Sequence, residues 1–110
     1  MALRSGNVNF EWDEAKNQRN QRKHEGISFE LAALVFEDED CLIRLDRIDE
    51  KGEQRWHAIG SLYIGSTVSV VLLVAFVFRK DNGGEEIVRI ISARRAEKHE
   101  IRRYQEQAMQ

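Results

Sequence analysis

Residues 89–100, RIISARRAEKHE, pass from a β-branched apolar run into a cluster of arginines, a lysine and a histidine. On a helix begun by Ser92, Arg94, Lys98 and Arg102 recur every four residues, as do Arg95, His99 and Arg103, which sets two adjacent basic rows on one surface. Glu97 and Glu100 stand beside these rows and can pair within the helix. Arg94 and Arg95 then fall in the first turn, where the helix macrodipole prefers acids. Such a placement suits a bound anion, because a phosphate at a helix start meets backbone N–H groups and guanidinium forks together. A second basic segment, KNQRNQRKH at residues 16–24, precedes it, and single arginines stand in strand-like stretches at Arg55, Arg79 and Arg89.

The groups able to move protons are His24, His57, His99, Glu53 and Tyr104. The sequence has no His-x-x-x-His pair, no Gly-rich phosphate loop and no G-x-S-x-G elbow, and outside one acidic loop no acids cluster at metal-ligand spacing. Neither a metal site nor a cofactor is expected. Cleavage of RNA fits these residue types, since the substrate brings its own 2'-hydroxyl nucleophile. The protein need only take one proton, give one and stabilise charge on the phosphate. These residues permit that chemistry without singling it out.

The elements that must position them are punctuated by glycines and caps, since the chain has no proline. Asp13 caps a first helix over 14–24 that Gly26 ends; it is nearly all polar, anchored by Trp12 and Ala15 near one end and Ile27 beyond the other. Ser28 caps a second, apolar helix over 29–36. The period then changes to that of strands at 41–48, 52–64, 69–79 and 85–93, with DEKG, GST and KDNGG as turns. The third strand is apolar on both faces and belongs in the centre of a sheet. A last helix, capped by Ser92, buries a stripe of Ile101, Tyr104 and Ala108. Short turns make consecutive strands antiparallel. The expectation is an α+β domain over 1–110: two N-terminal helices, a four-stranded antiparallel sheet with helices on one face, and a C-terminal helix.

Composition agrees with one small domain: 110 residues, 42% of them hydrophobic, can close a single core. The net charge of −2 hides sorting, because acids dominate 37–53 while the two basic segments carry all but a few of their charges as lysine and arginine. Brought together, those segments form the footprint of a polyanion binder; kept apart, each is a solvated helix face. The lone Cys41 cannot form an internal disulfide and reads as a small buried hydrophobe. The opening MALRSGNVNFEWDE lacks the apolar stretch of a signal peptide, and a cytoplasmic protein is expected. Residues 58–78 carry no charge, but glycines and serines interrupt the first half and the second is β-branched, so strands are expected there and no membrane span.

FEWDEAKNQRNQRKHEGISFELAALVF (10–36), GEQRWHAIG (52–60), the apolar strand ending in Arg79, and RIISARRAEKHEIRRYQE (89–106) together resemble the BrnT family of type II toxins, which have a RelE-like ribonuclease fold. KHEGISF, GSTVS and KDNGGEE look longer than the usual family form, which alters the rim of the site. The resemblance implies a metal-independent endoribonuclease toxin that cleaves RNA and stops translation. It also implies a cognate BrnA-like antitoxin with a DNA-binding segment, joined to the toxin in a hetero-oligomer, for example with two copies of each, that represses its own operator DNA. By the same carry-over the catalytic candidates are Lys23, His24, Arg55, Arg79, Arg94 and Arg95. Arg79 and Arg94 would stabilise the phosphate, and His24 or Lys23 would move protons. Lys16, Lys98 and Arg102 are implied phosphate contacts, and Trp12 and Tyr104 stacking surfaces for RNA bases. Two alternatives stand beside this: a nucleic-acid-binding module without catalysis, and a protein whose basic rows dock an acidic or disordered segment.

Overall fold

Strand alternation and two nearly identical turns generate the antiparallel part of the sheet. In a computed structural model, which describes the backbone of residues 2–5, 8–64 and 68–109 and the side chains of 8–63 and 69–109, β3 (Leu42–Ile48), β4 (Gln54–Ile64), β5 (Val68–Lys80) and β6 (Glu86–Arg95) pair antiparallel in chain order. Asp49 opens the β3–β4 turn and Asp81 the β5–β6 turn. The Asp49 carboxylate accepts from the backbone N–H groups of Lys51 and Glu53, that of Asp81 from those of Gly83 and Glu85. Gly52 and Gly84 both close their turns at φ 82°, a region that side chains disfavour. The expected turn at 65–67 lies outside the described residues.

The sheet differs from the expected four antiparallel strands at its other edge. Two further strands, β1 (Ala2–Ser5) and β2 (Val8–Glu11), form an antiparallel pair, and β2 runs parallel to β6 through Asn9↔Ile87, Phe10↔Val88 and Glu11↔Arg89. The order is β1-β2-β6-β5-β4-β3, a mixed sheet. A parallel neighbour needs a long crossover, and here everything between β2 and β6 supplies it. VNFE is too short for its alternation to register, although Phe10 is only 1% exposed.

α1 (Glu14–Lys23) and α2 (Phe29–Leu34) start where Asp13 and Ser28 cap them; α2 runs into a single 3-10 turn, Val35–Glu37. α3 (Lys98–Ala108) starts later than expected, with Glu97, not Ser92, as its cap and Glu100 completing a capping box. The reason is the ladder: Leu73↔Arg94 and Leu72↔Arg95 keep β6 paired with β5 up to the end of its strand, beyond a bulge in which the register skips Ile91.

Helices cover both faces rather than one. Phe10, Trp12, Phe29, Ala58, Leu72, Val74, Phe76, Ile90 and Ala93 form the core under α1 and α2. Ile59 and Leu73, which alternate with these, meet Tyr104 of α3 on the opposite face. Gly60 permits the close approach of the 3-10 turn, since a Cβ there would lie 2.7 Å from Val35 Cγ1. At the far edge β3 is mostly exposed, with a bulge between Leu45 and Arg47. No helix among the described residues is long and apolar enough to cross a membrane, and β4 and β5 account for the uncharged stretch.

Polar α1 is held by two buried asparagines. β2 pairs with β6 only as far as Arg89. Beyond it the Asn20 carboxamide takes the place of a strand neighbour: its Nδ2 donates to Ala93 O (2.8 Å) and to Ile27 O (2.9 Å), and its Oδ1 accepts from Ala93 N (3.1 Å). Asn17 Oδ1 accepts from Phe29 N at 2.8 Å and its Nδ2 donates to Glu30 at 2.9 Å. Truncating Asn20 strands buried backbone groups, so Asn20→Ala should cost about 3 kcal/mol in urea unfolding, against less than about 0.5 kcal/mol for exposed Lys16→Ala. Equal midpoints for the two variants would contradict this role.

Candidate functional site

In a sheet, residues opposite one another across strands point to the same face. The pairs His57↔Ala75, Val77↔Arg89 and Leu73↔Arg94 therefore place Arg55, His57, Arg79, Arg89 and Arg94 together on the face that carries α3. Arg95, one residue on, points to the α1–α2 face, where its Nε donates to Glu25 at 2.8 Å with both side chains more than 60% exposed. The arginine pair is thus split by the pleat, and neither member sits in a helix, so the macrodipole argument does not apply to them.

Arg55, His57, Arg89 and Arg94 each lie close to a carboxylate. Arg55 reaches Asp49 at 3.3 Å and Glu53 at 3.8 Å, Arg89 reaches Glu11 at 3.2 Å, and His57 reaches Asp46 at 3.6 Å. Arg94 makes a two-pronged contact with Glu100 at 2.8 and 3.0 Å, while Glu100 also accepts from the Glu97 N–H at 2.7 Å. Burial raises the Glu100 pKa, but the hydrogen bonds from Arg94 and Glu97 outweigh it and leave the carboxyl below its ordinary range. The Arg94 fork is thereby committed to tying the end of β6 to the start of α3.

Arg79 is the loosest of the set. Half exposed, it lies 4.0 Å from Glu11 and 3.9 Å from Glu53. Arg79 and Arg55 border a cleft of about 780 Å³ beside the β3–β4 turn, lined also by Asp49, Lys51 and Glu53. Glu53 stands between the two guanidinium groups, 3.8 Å from one and 3.9 Å from the other. Sequence reading picked out Arg55, Arg79 and Glu53 singly; it missed Asp49 and Glu11, whose pairing only the register reveals.

Lys16, Lys23 and His24 come together elsewhere, in a cleft of about 280 Å³ between α1 and the β6 bulge, with Arg19, which the sequence reading did not select. Lys98 and Arg102 lie on α3, at its start and on an exposed position of its second turn. The two rings expected to stack on bases are buried: Trp12 is 3% exposed, edge-on to Phe29, with its indole N–H on Glu14, and Tyr104 is 9% exposed. Tyr104 Oη donates to Asp38 Oδ2 at 2.5 Å, and Ser61 N donates to the same oxygen at 2.8 Å. Burial raises the Asp38 pKa, yet the donors of Ser61, Tyr104 and Asp40 outweigh it and hold the carboxyl below its usual value. Burial and the Asp38 charge push the Cys41 thiol up to about 12, which leaves it unreactive. Among the described residues, no group of three or more His, Cys, Asp or Glu side chains is placed to hold a metal ion.

Two structural roles can be separated from chemistry by stability measurements. Arg94→Ala and Glu100→Gln should each lower unfolding stability by about 2 kcal/mol, and the double variant should lose much less than their sum; full additivity would show that the pair is not coupled. Asp38, with its pKa lowered in the fold, contributes above pH ~4 and loses that contribution as pH falls through the folded-state value. Tyr104→Phe should therefore cost roughly 1 to 2 kcal/mol at neutral pH, with the gap to the parent narrowing in acid. A gap that is constant with pH would rule out the carboxylate as the partner that matters.

No curated protein and no solved structure matches the chain. A family model does, described as the ribonuclease toxin BrnT of type II toxin-antitoxin systems, and the match runs over residues 12–100. That span contains the Arg55–Glu53–Arg79 cleft, the basic row of α1 and the arginines of β6. The chain therefore belongs to the BrnT family of type II toxin-antitoxin ribonuclease toxins.

Proposed function

We propose that the chain is a metal-independent endoribonuclease whose reaction centre is the cleft between Arg55 and Arg79. The observation that carries this reading is Glu53, a carboxylate poised between two guanidinium groups at 3.8 and 3.9 Å in an open cleft. Contacts that long and exposed are weak, so a phosphate can replace the carboxylate as partner of Arg79 at small cost. Glu53 then takes the proton of the 2'-hydroxyl as its oxygen attacks phosphorus. Arg79 and Arg55 stabilise the added charge, and the 5'-oxygen leaves with a proton from water in the cleft. The products are a 2',3'-cyclic phosphate and a 5'-hydroxyl.

Family membership supports the wider reading: a cytoplasmic toxin that depletes RNA and stops translation. Its partner is a BrnA-like antitoxin with a DNA-binding segment, and the hetero-oligomer of the two represses its operator. One alternative is a module that binds nucleic acid without cutting it, since no histidine or tyrosine lines the Arg55–Arg79 cleft as a proton donor.

Purified chain should cut RNA in the presence of a chelator, and Arg79→Ala and Glu53→Gln should each slow cleavage about 100-fold or more while leaving the fold intact. Induction without antitoxin should arrest growth, and Arg79→Ala should relieve the arrest. RNA bound but uncut by the pure protein would favour the binding module. Activity lost to the chelator would overturn metal independence.

A further inference from the structure

We infer that the cleft between α1 and the β6 bulge is a second anion site, separate from the reaction centre, which holds the phosphate backbone of single-stranded RNA without reading its bases. The choice of RNA as the polyanion rests on the ribonuclease reading above; the site itself rests on the following geometry.

Lys16, Arg19 and Lys23 follow one another at spacings of three and four along α1, which puts them on one helix face, and His24 continues the row at the helix end. Unlike Arg55, Arg79, Arg89 and Arg94, none of Lys16, Arg19 and Lys23 makes a side-chain ion pair or hydrogen bond among the described residues. Asp13, just before the row, has its carboxylate engaged as the helix cap on the Lys16 N–H at 3.1 Å. The helix dipole favours Lys23, in the last turn, but Lys16 and Arg19 stand nearer the helix start and gain nothing from it, and like charges at these spacings repel; an anion lying along the row relieves that repulsion. The row is also held rigidly, because Asn20, in the same cleft, is bonded to both backbone groups of Ala93. The helix backbone is thus in place before any ligand arrives, and only the exposed side chains of the row have to order on binding.

Two features decide the occupant. The cleft is lined by Asn20, Ile91 and Ser92 beside the row, with no Phe, Tyr or Trp; the His24 imidazole at its end is the one ring of the lining that can meet a base, so the contacts of the row position a backbone and carry no sequence information. Nor does it offer a deep apolar pocket of the kind that anchors a protein partner. This cleft and the Arg55–Arg79 cleft share no lining residue. Lys23 and His24 therefore act here on phosphate contacts, and the proton transfers belong to the other cleft.

The test uses 2'-O-methyl RNA, which cannot be cut, and reads its anisotropy across a salt series with the parent chain, a Lys16→Ala/Arg19→Ala/Lys23→Ala variant and Arg79→Ala. The triple variant should bind at least about tenfold more weakly, with a salt slope smaller by about 2, as expected for the loss of three phosphate contacts. It should raise KM for long RNA more than for a dinucleotide too short to span both clefts. Circular dichroism checks the fold, and Arg19→Glu alone provides a second variant with the same expected direction. Unchanged affinity and slope in a folded variant would overturn the site while leaving the ribonuclease reading untouched. Loss of poly-glutamate binding with RNA binding intact would overturn it in favour of a protein-docking face. Parent chain that binds through this row but never cuts RNA would instead defeat the ribonuclease reading alone.

Discussion

The architecture turns on one carboxamide. β2 is too short to follow β6 along its whole length, and where it stops Asn20 supplies the hydrogen bonds a further strand would have made to Ala93. An exposed polar edge in mid-sheet is costly, and a side chain offering one donor and one acceptor in the right geometry removes that cost without adding a strand. Because the substitute comes from a helix, β6 is free to bulge at Ile91. α1, which has almost no apolar surface of its own, is fixed to the sheet. Asn20 therefore links a polar helix, an irregular strand and the core.

Charge on the sheet face is arranged by the same logic of local partners. Arg94 is drawn into a fork with Glu100, and the strand-to-helix junction becomes a rigid corner. Among Arg55, Arg79, Arg89 and Arg94, Arg79 has the longest contacts. A site for a polyanion gains from such unevenness: strongly held pairs shape the surface, and the weakly held pair can exchange partners.

Much of this was legible in the sequence. The alternation of CLIRLDRI and SVVLLVAFVFR, the Asp-initiated turns and the Asp13 and Ser28 caps all correspond to what forms, because each depends on residues close in the chain. The losses have one physical source, which is pairing over distance. Phe10 is buried against a strand far along the chain, Asn20 looks like any polar helix residue until Ala93 is beside it, and Ser92 is a good cap that the β5 ladder outcompetes. For the site, residue types were informative and grouping was not. Arg94 and Arg95 are neighbours in sequence and lie on opposite faces, whereas Arg55 and Arg79 are far apart in sequence and border one cleft.

The outer edge at β3 bears on how copies of the chain meet one another in a crowded cell. A strand with one open edge is a template for joining sheets edge to edge, and Ile43, Leu45 and Ile48 are 44–59% exposed there. Arg44, Asp46 and Arg47 sit among them, and the irregularity between Leu45 and Arg47 breaks the regular spacing a second strand would have to match. The edge thus keeps its apolar side chains while offering an incoming strand an irregular row of partners, which disfavours the joining of two sheets there.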